Sequence, residues 1–233
     1  MKFCKLYSIK FSIRIVAVWV IICMWESTFC WYTGPTMYYI VGLGNNGAEY
    51  TTTRHNIGWL VLDALCAKHH IPTAVLQNTI SGRLTAGKIA GVPVSVLYPE
   101  TMMNNSGAAV RKFVPGSGLA NLLVLYDDID LPLGEVKVSF GRGDGGHNGI
   151  KSIIEKTGSK DFVRVRVGIG KVGFWPWQKG VIVRPKGERL PKYVLGKFTK
   201  TEMGEVENVG QYVNEIVAEI VTKGYTAAMN KFN

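Results

Sequence analysis

The sequence predicts an α/β fold: a single globular domain over residues 37–233, with a twisted, mostly parallel mixed sheet covered by helices on both faces. Two observations predict it. From residue 38 onward, short apolar runs of strand length alternate with amphipathic stretches of helix length. Three of those runs also end in loops rich in polar side chains, as the carboxyl ends of parallel strands do when they meet at one edge of an open sheet. At 233 residues, 47% hydrophobic and 19% charged, the chain can bury a full core and is neither disordered nor a disulfide scaffold.

Residues 1–36 stand apart. Lys2, Lys5, Lys10 and Arg14 precede the apolar run IVAVWVIICMW, the charge polarity of a secretory signal, yet the run is short of the ~20 residues a membrane span needs. No small-x-small cleavage site follows it. An uncleaved anchor, a signal peptide and translated upstream sequence before a start at Met37 are the three readings, and the third is preferred because YYIVGL, the first buried strand, follows Met37 directly. The domain boundary is therefore set at 36/37. Three of the four cysteines (Cys4, Cys23, Cys30) fall in the extension, so the body, with Cys66 alone, suits a reducing compartment.

Within the body, strands are expected at 38–43, 82–89, 92–98, 122–126, 135–139 and 162–169. Helices are expected at 57–69, 106–113, 149–156 and about 201–222. The strands are mostly short apolar runs, and the helices are the amphipathic stretches between them. Asn148 is the expected N-cap of the third helix and Gly158 its C-terminal stop. Residues 171–190, with two Pro, two Trp and several basic residues, read as a long surface loop.

The loops carry the chemistry. GLGNNG, residues 42–47, matches G-x-G-x-x-G, but the next residues, AEYTTTRHN, contain three consecutive β-branched threonines where a nucleotide fold opens a helix. Asp63, the acid about twenty residues on, lies inside a helical pattern and not at a strand end. A Rossmann-like dehydrogenase is therefore disfavoured. His55 in TRHN is open to two readings, a catalytic imidazole or a structural histidine, and Asp127 in DDID is either a turn-solvating acid or the carboxylate that orients an imidazole. Asn104 and Asn148 either cap helices or read a substrate's polar groups. The glycines before Asn148 permit close approach to helix-start amides that can bind an anion or oxyanion. His55, His147 and Asp127 lack the helical spacing that would support a metal triad. A His–Asp pair beside asparagines, with no serine or cysteine nucleophile, points to attack by water.

The segments IVGLGNNGAEYTTTRHNIGW, PETMMNNSG, LYDDIDLPLGEVK, GDGGHNGIKSIIEKTG, RVRVGIG, YVLGKF and KGYTAAMN together resemble bacterial-type peptidyl-tRNA hydrolase, in order and near spacing, over about residues 38–231. The resemblance implies a monomeric, cytoplasmic, metal-free esterase with no cofactor. Such an enzyme cuts the ester between a stalled peptide and its tRNA, and so recycles tRNA for translation. It implies His55 as base, Asp127 as the acid that orients it, and Asn45, Tyr50, Met103, Asn104, His147 and Asn148 around the peptide and terminal ribose. The tRNA acceptor stem and 3′ end are the implied nucleic-acid partner. Arg166 matches one ligand of the tRNA 5′-phosphate. The family's second ligand, a lysine, is replaced by Ser139, so Lys137 and Arg142 are the available substitutes, and a solvated strand face is the expected place of Arg164. A further departure is Asn46, where the family usually has proline, which is expected to leave the loop less rigid. The whole chain carries +10; four basic residues and Glu26 lie in 1–36, so the body keeps +7, which suits a tRNA-sized polyanion. The alternative is a non-catalytic RNA-binding protein of the same fold.

Overall fold

A computed structural model describes residues 37–173 and 181–233. The extension 1–36 and residues 174–180 of the expected loop lie outside the described residues. Seven strands form one sheet in the order β2-β3-β4-β1-β5-β7-β6. These are β1 (Tyr38–Gly42), β2 (Val75–Gln77), β3 (Gly82–Ile89), β4 (Val92–Pro99), β5 (Leu122–Pro132), β6 (Val136–Phe140) and β7 (Val163–Gly170). The centre, β4-β1-β5-β7, is parallel; the margins, β2-β3-β4 and β7-β6, are antiparallel.

β1 lies between two parallel neighbours, Ile40 opposite both Val96 and Leu123. A strand so placed has no solvent face, which is why YYIVG is nearly all apolar. Its alternate residues feed two cores. Ile40, Leu123, Leu125 and Val165 pack with helices α1 (Ile57–Lys68) and α5 (Lys200–Lys223) on one face. Val41, Val124 and Tyr126 pack with α2 (Ser106–Phe113) and α3 (Asn148–Thr157) on the other. The remaining helices are α4 (Arg189–Val194) and α6 (Tyr225–Phe232). Among the described residues no helix is long and apolar enough to cross a membrane, and Cys66 is a free, buried thiol.

Two expectations about elements are corrected. The acidic DDID, read as a loop after the strand, belongs to β5, which continues to Pro132 because Pro132 still finds Gly170 across from it after a register shift. The 171–190 stretch is structured where described: Val172 bridges Ile182, the Gly173 N–H donates to the Val181 carbonyl at 2.9 Å, and Arg189 opens α4.

Candidate active site

The carboxyl ends of β1 and β4 and the middle of β5 converge on a cleft of about 670 Å³. His55, Asp127, Asn45, Met103, Asn104, His147 and Asn148 line it, together with Arg142, Arg164, Arg166 and Arg184. Close packing brings His55 there. A Cβ on Gly58 would sit 2.5 Å from the carbonyl oxygens of both Leu125 and Leu43, so only glycine lets the first turn of α1 lie on β1 and β5. The 3-10 turn Arg54–Asn56 ahead of it is then held over Asp127.

His55 Nδ1 lies 2.8 Å from Asp127 Oδ1, both residues buried. Asp127 accepts a second contact at the same oxygen, His147 Nε2 at 2.8 Å. His55 precedes α1 on one face of the sheet and His147 precedes α3 on the other, so the carboxylate joins the two layers over the sheet edge. Burial raises the Asp127 pKa, but the two imidazoles outweigh it and hold the carboxyl well below the ordinary range. For His55 burial opposes charge, and the adjacent carboxylate more than offsets it, moving the imidazole above its usual 6.5. With Nδ1 engaged by Asp127, Nε2 is the nitrogen left for the cleft.

α3 is capped by His147 and not by Asn148: His147 Nδ1 accepts from the N–H of Gly149 at 3.2 Å and of Ile150 at 3.3 Å. Asn148 is instead the first helical residue, its exposed side chain in the cleft wall. Gly158 ends the helix in the left-handed region at φ 73°, as the sequence suggests.

Asn45, nearly fully buried, is fixed from three sides. Its carboxamide oxygen accepts from the Met103 N–H at 2.7 Å, its N–H donates to Asn56 Oδ1 at 2.9 Å, and its carbonyl accepts from Asn56 Nδ2 at 3.0 Å. With the oxygen so pinned, Nδ2 is the end of the amide free to donate toward the cleft. Asn56 is a residue sequence reasoning missed, although RHN contains it. Its side chain zips the loop after β1 to the turn that carries His55. Met103 is buried and Asn104 exposed at the cleft. Tyr50, in the 3-10 turn Ala48–Tyr50, is not among the residues that line it.

On the cleft's basic side, Lys137 stands directly opposite Arg166, and Ser139 opposite Arg164, across β6 and β7. Arg166 Nε donates to Asp128 Oδ2 at 2.7 Å, and Arg184 donates to Asp130 at 2.9 and 3.0 Å. Arg142 is exposed at the cleft, whereas Lys137 is exposed but not among the lining residues. Arg164 is not on a solvated face: it is 1% exposed, stacked 4.7 Å over Phe162, with its guanidinium donating to the carbonyls of Arg142 and Gly143. It supports the glycine-rich loop from beneath. Arg184 was also missed, since its segment carries no motif that predicts a place beside Asp130.

His55, Asp127 and His147 offer three ligand atoms within 4.8 Å of one another, the set best suited to a cation among the described residues. Asp127 Oδ1, however, already accepts from both rings, and His147 Nδ1 accepts from two backbone amides.

Residues 39–233 match the family described as Peptidyl-tRNA hydrolase. A peptidyl-tRNA hydrolase of Syntrophotalea carbinolica is 38% identical over 200 residues, covering 84% of this chain and 97% of the relative. One from Clostridium beijerinckii is 40% identical over 199 residues, covering 84% and 96%. A crystal structure of peptidyl-tRNA hydrolase from Acinetobacter baumannii superposes with a TM-score of 0.73 at 32% identity, covering 85% of this chain and 95% of that one.

Proposed function

The chain belongs to the peptidyl-tRNA hydrolase family and hydrolyses the ester between peptide and tRNA; we propose that it does so by attack of a water molecule activated by His55 and Asp127. The single observation that carries this reading is the 2.8 Å contact from His55 Nδ1 to Asp127 Oδ1 in a cleft, which leaves Nε2 as the proton acceptor. Water loses its proton to Nε2 as its oxygen attacks the ester carbonyl. The imidazolium, stabilised by the carboxylate, then returns the proton to the departing ribose oxygen. Asn45 Nδ2, oriented by the Met103 N–H, is the donor we assign to the developing oxyanion, with Asn104 and the start of α3 near Asn148 beside it. Each such donor is typically worth ~3–4 kcal/mol.

We further propose that the acceptor stem and 3′ end of tRNA lie along the basic side, with the 5′-phosphate gripped by Arg166 together with Lys137 or Arg142. Lys137 stands directly opposite Arg166, and with Arg166 Nε held by Asp128 the phosphate is assigned to the terminal nitrogens of the guanidinium. Tyr50 and Met103 are assigned to the peptide side on family resemblance. We read the enzyme as a monomer on family resemblance. We place it in the cytoplasm because its substrate is a product of translation. Residues 1–36 are assigned no part in catalysis.

The test is incubation with N-acetyl-aminoacyl-tRNA while free tRNA is followed. The full chain and residues 37–233 should release it at equal rates. Binding of tRNA with no release would favour the non-catalytic RNA-binding alternative.

A further inference from the structure

We propose that His147 is a positioning residue, a neutral imidazole held in one tautomer by its place as the cap of α3, which fixes the Asp127 carboxylate and shares its charge with His55. The inference rests on the reading of His55 as the base. Backbone amides can only donate, so the two N–H groups that meet His147 Nδ1 require a lone pair there and put the ring proton on Nε2. That proton points at Asp127 Oδ1, the oxygen that His55 also reaches. The ring is packed edge-on to Tyr126 with centroids 4.9 Å apart, its centroid 5.1 Å from that of His55, and its side chain is 9% exposed.

Both nitrogens of His147 are therefore used inside the protein. Offering either one to a substrate would strip the helix of its cap or release Asp127. Protonating Nδ1 would break two amide contacts and set a cation at the positive end of a helix. Proton traffic is in this way confined to His55, and Asp127 faces two donors with one charge. A carboxylate that already holds one N–H supports an imidazolium less strongly than a free one, so His147 moderates the basicity of His55.

Other charged groups around the pair are Asp128 with its partner Arg166, Arg164 on β7, Arg142 and Asp144 in the loop before α3, Arg184 with Asp130, and Arg54 with Glu202 beside His55. The bonds of the His147 side chain go to Asp127, Gly149 and Ile150 and to none of these groups, and the phenol of Tyr126 is pushed upward by burial.

Two amides separate the functions of the two nitrogens. In His147→Asn the carboxamide oxygen stands where Nδ1 stood and keeps the cap, but nothing reaches Asp127. In His147→Gln the longer side chain donates to Asp127 and the cap is lost. The measurement is the pH dependence of kcat/KM for N-acetyl-aminoacyl-tRNA, together with Tm. The Asn variant should keep its Tm while its acid limb moves up by about half a unit to one unit, as removal of a donor from the carboxylate demands. The Gln variant should lose Tm and keep the limb of the unaltered enzyme. A raised KM in the Asn variant with an unmoved limb would make His147 a substrate ligand and overturn the proposal. Loss of activity to a chelator, with recovery on zinc, would overturn it in favour of a metal ligand. The two levels of failure are distinguishable: an unaltered enzyme with no acid limb at all removes His55 as base, whereas a limb common to all three proteins removes His147 alone.

Discussion

Asp127 keeps its charge in a place where burial would neutralise a lone carboxyl, because two imidazoles meet one of its oxygens. The consequences for pH have opposite signs for the two partners. The folded-state pKa of Asp127 is depressed, so its contribution to stability is present above the unfolded value near 3.8 and is lost as pH falls below it. The folded-state pKa of His55 is raised, so its contribution is fully present below 6.5 and fades as pH climbs through the higher folded value. As a base His55 must be neutral, so activity needs the alkaline side of that same titration. The acid limb of kcat/KM is expected above pH 6.5. Asp127→Asn should lower kcat by roughly 10²–10⁴ and move the limb down toward that value, because the amide cannot support an imidazolium. A limb that stays above 6.5 in Asp127→Asn would detach the shift from the carboxylate.

The elements that present these residues are held by contacts between distant parts of the chain. Gly58 lets α1 sit on the strands. Arg54, beside His55, donates to both carboxylate oxygens of Glu202 at 2.8 and 2.9 Å and stacks on Tyr193 and Phe198. Glu202 is also the acid of the capping box that starts α5 with Thr199. Gly58→Ala should cost about 1–3 kcal/mol by overpacking, read as a lower Tm, with a fall in kcat as the His55 turn is pushed off Asp127. An unchanged Tm would mean that the contact is looser than 2.5 Å.

Patterned elements were legible in the sequence: the helix over Ser106–Phe113 and the buried apolar strand beginning at Val92 fall where the pattern puts them. The misreadings have a common cause. DDID looks like a loop because three acids look solvated, yet Asp127 meets His55 and His147, Asp128 meets Arg166, and Asp130 meets Arg184. Those partners come from elsewhere in the chain, beyond the reach of local composition. Arg164 reads as surface for the same reason, and the carbonyls that satisfy it come from a loop twenty-odd residues away. The cap of α3 is His147, whose Nδ1 accepts from the Gly149 and Ile150 amides while Nε2 meets Asp127, a contact across the sheet that local composition does not show. β2 and α4 are too short to show a period.

At the scale of the whole molecule, the body carries +7, and the proposed phosphate grip by Arg166 with Lys137 or Arg142 is tested on that scale. Arg166→Ala combined with Lys137→Ala or Arg142→Ala should raise KM for 5′-phosphorylated tRNA with kcat nearly unchanged, since a phosphate ligand acts equally in ground and transition states. Removing one such ligand should also flatten the salt dependence of KM by roughly one counterion. If neither double variant changes KM or the slope, the phosphate is held elsewhere.

The proposed mechanism rests on His55 removing the proton from the attacking water. Its most direct test is single-turnover hydrolysis of N-acetyl-aminoacyl-tRNA by His55→Ala, with the affinity for the same tRNA measured in parallel. The predicted result is a rate lower by roughly 10²–10⁴ with affinity nearly unchanged. A rate within a few-fold of the unaltered enzyme, or a loss explained wholly by weaker binding, would contradict it.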